Sequence, residues 1–409
     1  MSHSFTVADA QIVRTASLSL TADWQPSAPS EQLTLFEADG GAGFAVARTG
    51  EAAHALAARI ADGDPVMASE VCGTLAVPWL DTTAPLPLIP VIVPKAWGRE
   101  IWFTGIEERG VVGVGTSDAQ VPLPWVLAAR HRQFGDVTAP VLVKVLAPSP
   151  SADVGDLYFE VHEDKEEVYV VTAVDRTCWP DHWGRVRYGF DPAQRKRLGD
   201  IGFRMAFATA AQANARAQRS LGAAGADGPA HDQALARARR TRDRMQGFVN
   251  ERSLEVGDVV RVPKGLPHGL MHGVRVVEVQ TPTYERAVLY AAQPLAPADT
   301  PPLLDRLEQV RMDVPDDPPA REASPAPGVQ TGRIARMDDF DVHRFTLDAG
   351  AVATLPTAAY GVLVCVRGRV RCGGLELSPE QAALCSEQAL ARRLEAGDEP
   401  AVVLLAQSR

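Results

Sequence analysis

Two segments of this chain carry ionisable side chains at spacings that suit metal coordination. In LYFEVHEDKEEVYVV, residues 157–171, Glu160 and His162 stand at i and i+2 of a strand, so both point to one face. The acidic turn EDKEE then returns Glu166 or Glu167 beside them as the next strand begins. An imidazole with carboxylates on adjacent strands supplies three legs of a divalent-metal site. Taken alone, the segment suits an exposed charged hairpin equally well. The second segment is GDVVRVPKGLPHGLMHGVRVVEVQ, residues 257–280. Gly257-Asp258 makes a turn, VVRVP a strand, and Pro263-Lys264-Gly265 a second turn. His268 then opens a strand that can face the same interior, and His272, four residues on, reads as structural. The two segments together are far more specific than either half.

Elements of short period must hold these groups. From Leu86 onward the texture is β: LPLIPVIVP, IWFTGI, VVGVG, PVLVKVL, LYFEVH, EVYVVTAV, RVRYGF, DVVRVP, VRVVEV and RAVLY, bounded by Gly, Pro, Asp or Asn. Many short strands at close intervals predict an all-β sandwich or barrel over residues 86–292. Phe203–Arg219 and His231–Phe248 break that pattern with helical periodicity, predicting a helical hairpin inserted over about 203–248. Residues 293–332 are rich in Pro, Asp and Ala and read as a linker or surface strap, with a short helix expected at Leu303–Val310. Residues 333–409 return to short strands, a second and smaller β domain. It contains one histidine, His343, and neither an HxH nor a PxGxxH pattern, so no imidazole-based site is expected there. Residues 1–85 read as an N-terminal extension of unknown role, with apolar stretches at Phe5–Val7, Leu33–Phe36 and Gly43–Val46. A helix is expected at Glu51–Ile60.

Composition narrows the function classes. The 409 residues carry a formal net charge of −10, which argues against a surface that tracks phosphate backbones. No apolar run approaches the length of a membrane span. The first ten residues lack the layout of a signal peptide. Five scattered cysteines without CxxC spacing read as reduced thiols, and the expected location is cytoplasmic. Arginine is the default cation, at 36 against 5 lysines, so a lysine asks for a reason. Four of the five, Lys95, Lys144, Lys165 and Lys264, fall inside the segments singled out here.

The two segments resemble the paired motifs of the cupin superfamily, G-x5-HxH-x3,4-E and G-x5-PxG-x2-H-x3-N. More narrowly, the chain resembles type I mannose-6-phosphate isomerases. Their QVHP…KTEMWYV is matched by EVHEDKEEVYVV, and their second motif by GDVVRVPKGLPHGL, VVEVQ and TPTYERAVLY. Their strand leading into the site is matched by APVLVKVLAPS, and their K-x-WG segment by VPKAWGREIWFTG. The resemblance covers roughly residues 90–405. It implies a cupin jelly-roll barrel with an inserted helical hairpin and a smaller, metal-free, cupin-like C-terminal domain. The metal ligands it implies are Glu160, His162, Glu167 and His268. It further implies Lys165 and Arg286 as catalytic groups, with Lys144, Trp97 and Arg286 binding substrate.

The implied activity is aldose–ketose isomerisation of a hexose phosphate, mannose 6-phosphate leading, with one divalent metal ion, zinc first. Glu160 stands where the family has Gln, and a second carboxylate hardens the shell toward manganese or iron. Glu163 stands where the family has Pro, and the family's acid before the Arg has no counterpart except Glu285. A sugar-binding or regulatory cupin without turnover, and an iron cupin dioxygenase, are the alternatives. The expected partner is a small-molecule sugar phosphate, with no nucleic acid and no membrane; the oligomeric state is left open.

Overall fold

The computed structural model describes residues 10–20, 30–137, 139–225, 227–293, 306–308, 310–319 and 322–409. The apolar stretch at Phe5–Val7 and, of the expected helix at Leu303–Val310, residues 303–305 and 309 lie outside these; Arg306–Glu308 are helical.

The chain folds into two compact units that are not consecutive stretches. One comprises Met1–Val93, Ile101–Lys144 and Ala320–Arg409, the other Pro94–Glu100 and Val145–Pro319. In the first, the strand Leu86–Ile89 pairs with Ala382–Ser386, with Leu88 opposite Ala382. Gly113–Gly115 and Gln120–Pro122 extend the same nine-stranded sheet. The early strands expected to belong to the metal-binding domain are thus built into the sheet of the C-terminal residues. Its core is aliphatic, with Phe345, Leu347, Leu363, Leu394, Val403 and Leu405 all buried. The hairpin Val370–Cys372 to Leu375–Leu377 turns at Gly373-Gly374, both at positive φ (53° and 88°), the two-residue turn that suits the twist of antiparallel strands.

The N-terminal residues are a folded part of this unit. Strands Ile12–Leu20, Glu31–Ala38, Gly43–Arg48 and Leu80–Asp81 form an antiparallel sheet in that order. The helix Glu51–Ala61, close to its expected span, buries Ala53 and Leu56. Helix Leu123–Arg130 ends in a buried arginine whose Nη1 donates to Glu37 Oε1 at 2.9 Å.

The second unit contains two antiparallel sheets. In one, Val259–Val262, Glu167–Val174, Val274–Gln280 and, from the strand Leu142–Pro148, the residues Val145–Pro148 lie side by side in that order. The other runs Val249–Leu254, Gly184–Phe190, His268–Leu270, Phe159–Val161, Ala287–Tyr290. Their inner faces share a core of Tyr169, Val171, Val186, Tyr188, Leu254, Val260 and Leu270, which makes a β-sandwich of the jelly-roll kind. The expected helical hairpin is present as Pro192–Ala223 and Pro229–Gln246. Gly199 (φ 67°, ψ 162°) breaks the first span, so a short helical piece capped by Asp191, which accepts from the Gln194 N–H at 2.6 Å, precedes the helix of the hairpin, and that helix starts close to the expected Phe203. The hairpin packs Phe203, Phe207 and Met245 against Phe159, Val161 and Phe190 of the second sheet. Leu307, Val310 and Met312 join that cluster, so part of the Pro-rich segment is strapped to this face. Among the described residues no helix is long and apolar enough to cross a membrane.

Candidate metal centre and adjoining cavity

Strand alternation places the first group of donors. Phe159 and Val161 point into the core beneath the helical hairpin, so Glu160, between them, points to the opposite, inner side. His162 follows directly. His268 opens the neighbouring strand, and Glu160 and His268 are register partners across the pair. One ligand atom from each of Glu160, His162 and His268 can be chosen so that all lie within 4.8 Å of one another. His162 and His268 are each 1% exposed, and their rings meet edge to face at 5.1 Å. Gly265 N–H donates to His162 O at 2.7 Å, which ties the two motif segments together.

Glu167 comes from the facing sheet, between Val262 and Gln280 in register. Its Oε1 lies 3.2 Å from His162 Nε2 and 2.9 Å from Lys165 Nζ. Its Oε2 lies 3.0 Å from His268 Nε2 and accepts from Tyr169 OH at 2.7 Å. Glu167 thus sits beside both imidazoles while already receiving two donors, and each oxygen keeps a second lone pair. Glu166, its rival in the sequence, instead pairs through its backbone with Thr281.

The electrostatics suit a cation. Burial would raise the Glu167 carboxyl, but Lys165, His162 and His268 outweigh it and hold it well below the usual range, so it is ionised. Burial lowers His162, with Lys165 acting in the same sense and Glu167 against it, so its imidazole is neutral at neutral pH. Burial would lower His268 too, but the bond to Glu167 and the charge of Glu160 reverse the direction. Tyr169 is pushed well up by burial and by the charges of Glu167 and Glu278, so it stays a donor. The fit to a metal rests on orphaned atoms. His162 Nδ1 and Glu160 Oε2 are buried without a hydrogen-bond partner, and His162 Nε2, 3.2 Å from Glu167 Oε1, is not aligned for a good one, a costly state unless something else satisfies them. His268 Nδ1 is anchored by Leu266 O at 3.0 Å, leaving Nε2 to face the site. The three donors that converge are Glu160, His162 and His268, two imidazoles and a carboxylate; Glu167 touches both imidazoles but lies outside that group.

Beside these donors lies a cavity of about 480 Å³, lined by His162, Glu163, Lys264, Glu285, Arg286 and Arg306 among others. Arg286 reaches it with its guanidinium stacked 5.0 Å over the Tyr158 ring. The other expected substrate groups are placed differently. Trp97 is packed in the apolar core with Leu146, Leu157 and Val171, because a buried indole is best used as hydrophobic surface. Lys144 is buried at the third position of the strand Leu142–Pro148. Lys95 pairs with Glu100 at 3.2 Å. Three residues that touch the donors or line the cavity were not assigned from the sequence. Tyr169 was findable, since it is two residues from Glu167 on a strand and must share its face. Lys264 had the signal of lysine rarity. Arg306, from the Pro-rich segment, had none. His272 is structural, as expected: its N–H and Nδ1 contact Asp156 Oδ1 at 3.0 and 2.7 Å, and its ring stacks on Trp179 at 4.7 Å.

No protein-family model and no curated protein sequence matches the chain. Solved structures do. A mannose 6-phosphate isomerase from Bacillus subtilis is 14% identical with a TM-score of 0.56, over 79% of this chain and 99% of that one. A zinc-bound mannose 6-phosphate isomerase is 13% identical with a TM-score of 0.58, over 79% of this chain and all of the other. A variant of phosphomannose isomerase from Salmonella typhimurium is 14% identical at 0.55, over 78% and 99%. The chain has the phosphomannose isomerase fold. About a fifth of it lies outside the match.

Proposed function

We propose that this chain is a divalent-metal-dependent isomerase interconverting an aldose and a ketose phosphate, with mannose 6-phosphate and fructose 6-phosphate as the leading pair. The observation that carries this reading is the convergence of half-buried Glu160 with buried His162 and His268 beside the Lys165–Glu167 pair. The fold shared with mannose 6-phosphate isomerases supports it. Glu160, His162, Glu167 and His268 would hold the metal, zinc in first place, with manganese or iron favoured by the second carboxylate. The bound ion would supply positive charge where the substrate oxygens become anionic.

The chain's own residues do the rest. Lys165, in its amine form, is assigned the proton transfer: Nζ takes the proton from C2 or C1 of the open-chain sugar and returns it to the other carbon, through a cis-enediol. Glu167 Oε1 fixes Lys165 Nζ at the edge of the donor set, and Tyr169 OH fixes Glu167. Lys264, Arg286 and Arg306 line the cavity and would pair with the phosphate. Its volume suits a ligand of hexose phosphate size.

The test is turnover of mannose 6-phosphate and other aldohexose phosphates with zinc, manganese or ferrous iron added singly. Metal-dependent ketose formation is expected, and His268→Ala should abolish it together with metal binding. No turnover of any of these substrates with any of these ions would sink the reading. A second reading, sugar binding without turnover, is favoured by Glu163 and Glu285, whose carboxylates share the cavity and oppose a phosphate. Saturable binding of unphosphorylated sugars without isomerisation would select it.

A further inference from the structure

Lys165 stands in a turn, Glu163–Glu166, that has no secondary structure of its own, yet its Nζ must be placed to within a fraction of an ångström. The segment Gln280–Glu285 grips that turn at both ends. Glu285 Oε1 accepts from the Glu163 N–H at 2.5 Å, and Oε2 from the Asp164 N–H at 2.9 Å. Two consecutive amides converging on one carboxylate form a charge-assisted, bidentate contact. On the far side, Thr281 N–H donates to Glu166 O at 3.0 Å, and Thr281 Oγ1 accepts from Glu166 N–H at 3.2 Å. The segment is itself held in shape, since Gln280 Nε2 donates to Thr281 O and Thr283 O at 3.1 and 2.9 Å. Gln280 lies opposite Glu167 in the sheet, so the grip is anchored at the residue Lys165 must reach.

Charge makes this contact informative. The turn reads Glu-Asp-Lys-Glu-Glu, and an added carboxylate is repelled by its side chains. Glu285 commits both carboxylate oxygens to these backbone amides, while Arg306 across the cavity offsets part of its charge. We propose that Gln280–Glu285 is a positioning clamp for Lys165, with Glu285 its principal grip. The clamp makes no proton transfer itself. It keeps the Lys165 backbone fixed so that Nζ stays beside Glu167 and the imidazoles. The catalytic consequence rests on the isomerase reading; the grip on the turn does not.

Two measurements on Glu285→Ala and Glu285→Gln decide it. In amide hydrogen exchange, Glu163 and Asp164 should exchange about 10- to 100-fold faster in Glu285→Ala, the scale of losing bonds to a charged acceptor. Glu285→Gln, which keeps one acceptor oxygen, should fall between. Amides of the strand Val274–Gln280 should be unchanged, which shows that the fold is intact. In kinetics, Glu285→Ala should lower kcat by about tenfold and leave Mn²⁺ affinity within about twofold. It should lower kcat no further in a Lys165→Ala background, because its effect on kcat runs through Lys165; any change in KM from its place in the cavity is read separately. Additive losses in that double-mutant cycle would overturn the catalytic role. Unchanged exchange at Glu163 and Asp164 would overturn the clamp. If the wild type isomerises nothing, the isomerase reading fails, and the exchange experiment still decides whether the clamp exists.

Discussion

Glu167 shows how much chemistry one side chain can organise: a lysine, a tyrosine and two imidazoles all address its carboxylate. If Lys165 is the proton carrier, Lys165→Ala should bind metal as the wild type does and lose roughly two to four orders of magnitude in kcat. Titration calorimetry with Mn²⁺ beside the isomerase assay checks both halves. A different buried network governs stability. Arg187, fully buried, donates to Asp156 Oδ2 at 2.5 Å, while Asp156 Oδ1 meets His272. Burial would raise the Asp156 carboxyl, but Arg187 and His272 overcome that and hold it far below the usual range. Its folded-state pKa is therefore depressed relative to the unfolded chain, near 3.9. The sign follows: the stabilisation is present above about pH 5 and fades as pH falls through the carboxylate range toward the folded-state value. Asp156→Asn should cost about 3–5 kcal/mol in urea unfolding at pH 7, because it strands a buried guanidinium, and should flatten this acid dependence.

Among the elements that hold the donors, the short strand His268–Leu270 has little room beside its neighbour. A Cβ at Gly269 would lie 2.5 Å from Tyr158 O, a backbone atom that cannot move aside without shifting the strand that holds Glu160. Gly269→Ala should destabilise the protein by about 1–3 kcal/mol, the scale of an overpacked interior, and weaken metal binding by moving His268. Thermal melts with and without Mn²⁺ separate the two effects. Restoration of full affinity at low temperature would show that only stability was lost. Alternation explains why these strands were legible in outline: Phe159 and Val161 are apolar and Glu160 and His162 are not, so the two faces are written into consecutive residues. The strand Ile12–Leu20 was missed for the opposite reason. Only Ile12 of it is buried, and its alternation is confined to Ala16-Ser17-Leu18-Ser19-Leu20, where small and hydroxyl residues make a weak signal.

For the whole molecule, a metal that binds only the folded state must raise its melting temperature. Divalent ion at about 100 times its dissociation constant should add about 2.7 kcal/mol, and His268→Ala should remove that increment. A melting curve indifferent to Zn²⁺, Mn²⁺ and Fe²⁺ would contradict the metal centre. The N-terminal residues should also prove indispensable. Arg130 is buried, its guanidinium bonds Glu37 and lies 4.2 Å over the Phe44 ring. A chain lacking residues 1–81 would strand that charge and expose the covered face of its helix. Its recovery as folded protein with the wild-type melting temperature would refute this.

What the sequence determined by itself was local: period-two strands, turn chemistry at Pro263-Lys264-Gly265, the helical insert, and the side chains that share one face of a strand with His162. Those properties depend on neighbours a few residues apart. What only the tertiary structure decided was pairing at a distance. Strand alternation says which face a residue takes but not which strand lies beside it, so nothing in Leu86–Ile89 announced Ala382–Ser386 as its partner. For the same reason Arg306 arrives at the cavity, and Glu285 at the amides of Glu163 and Asp164, through folding alone. A backbone N–H is the same for every residue except proline, so the sequence has no letter for the group that Glu285 binds.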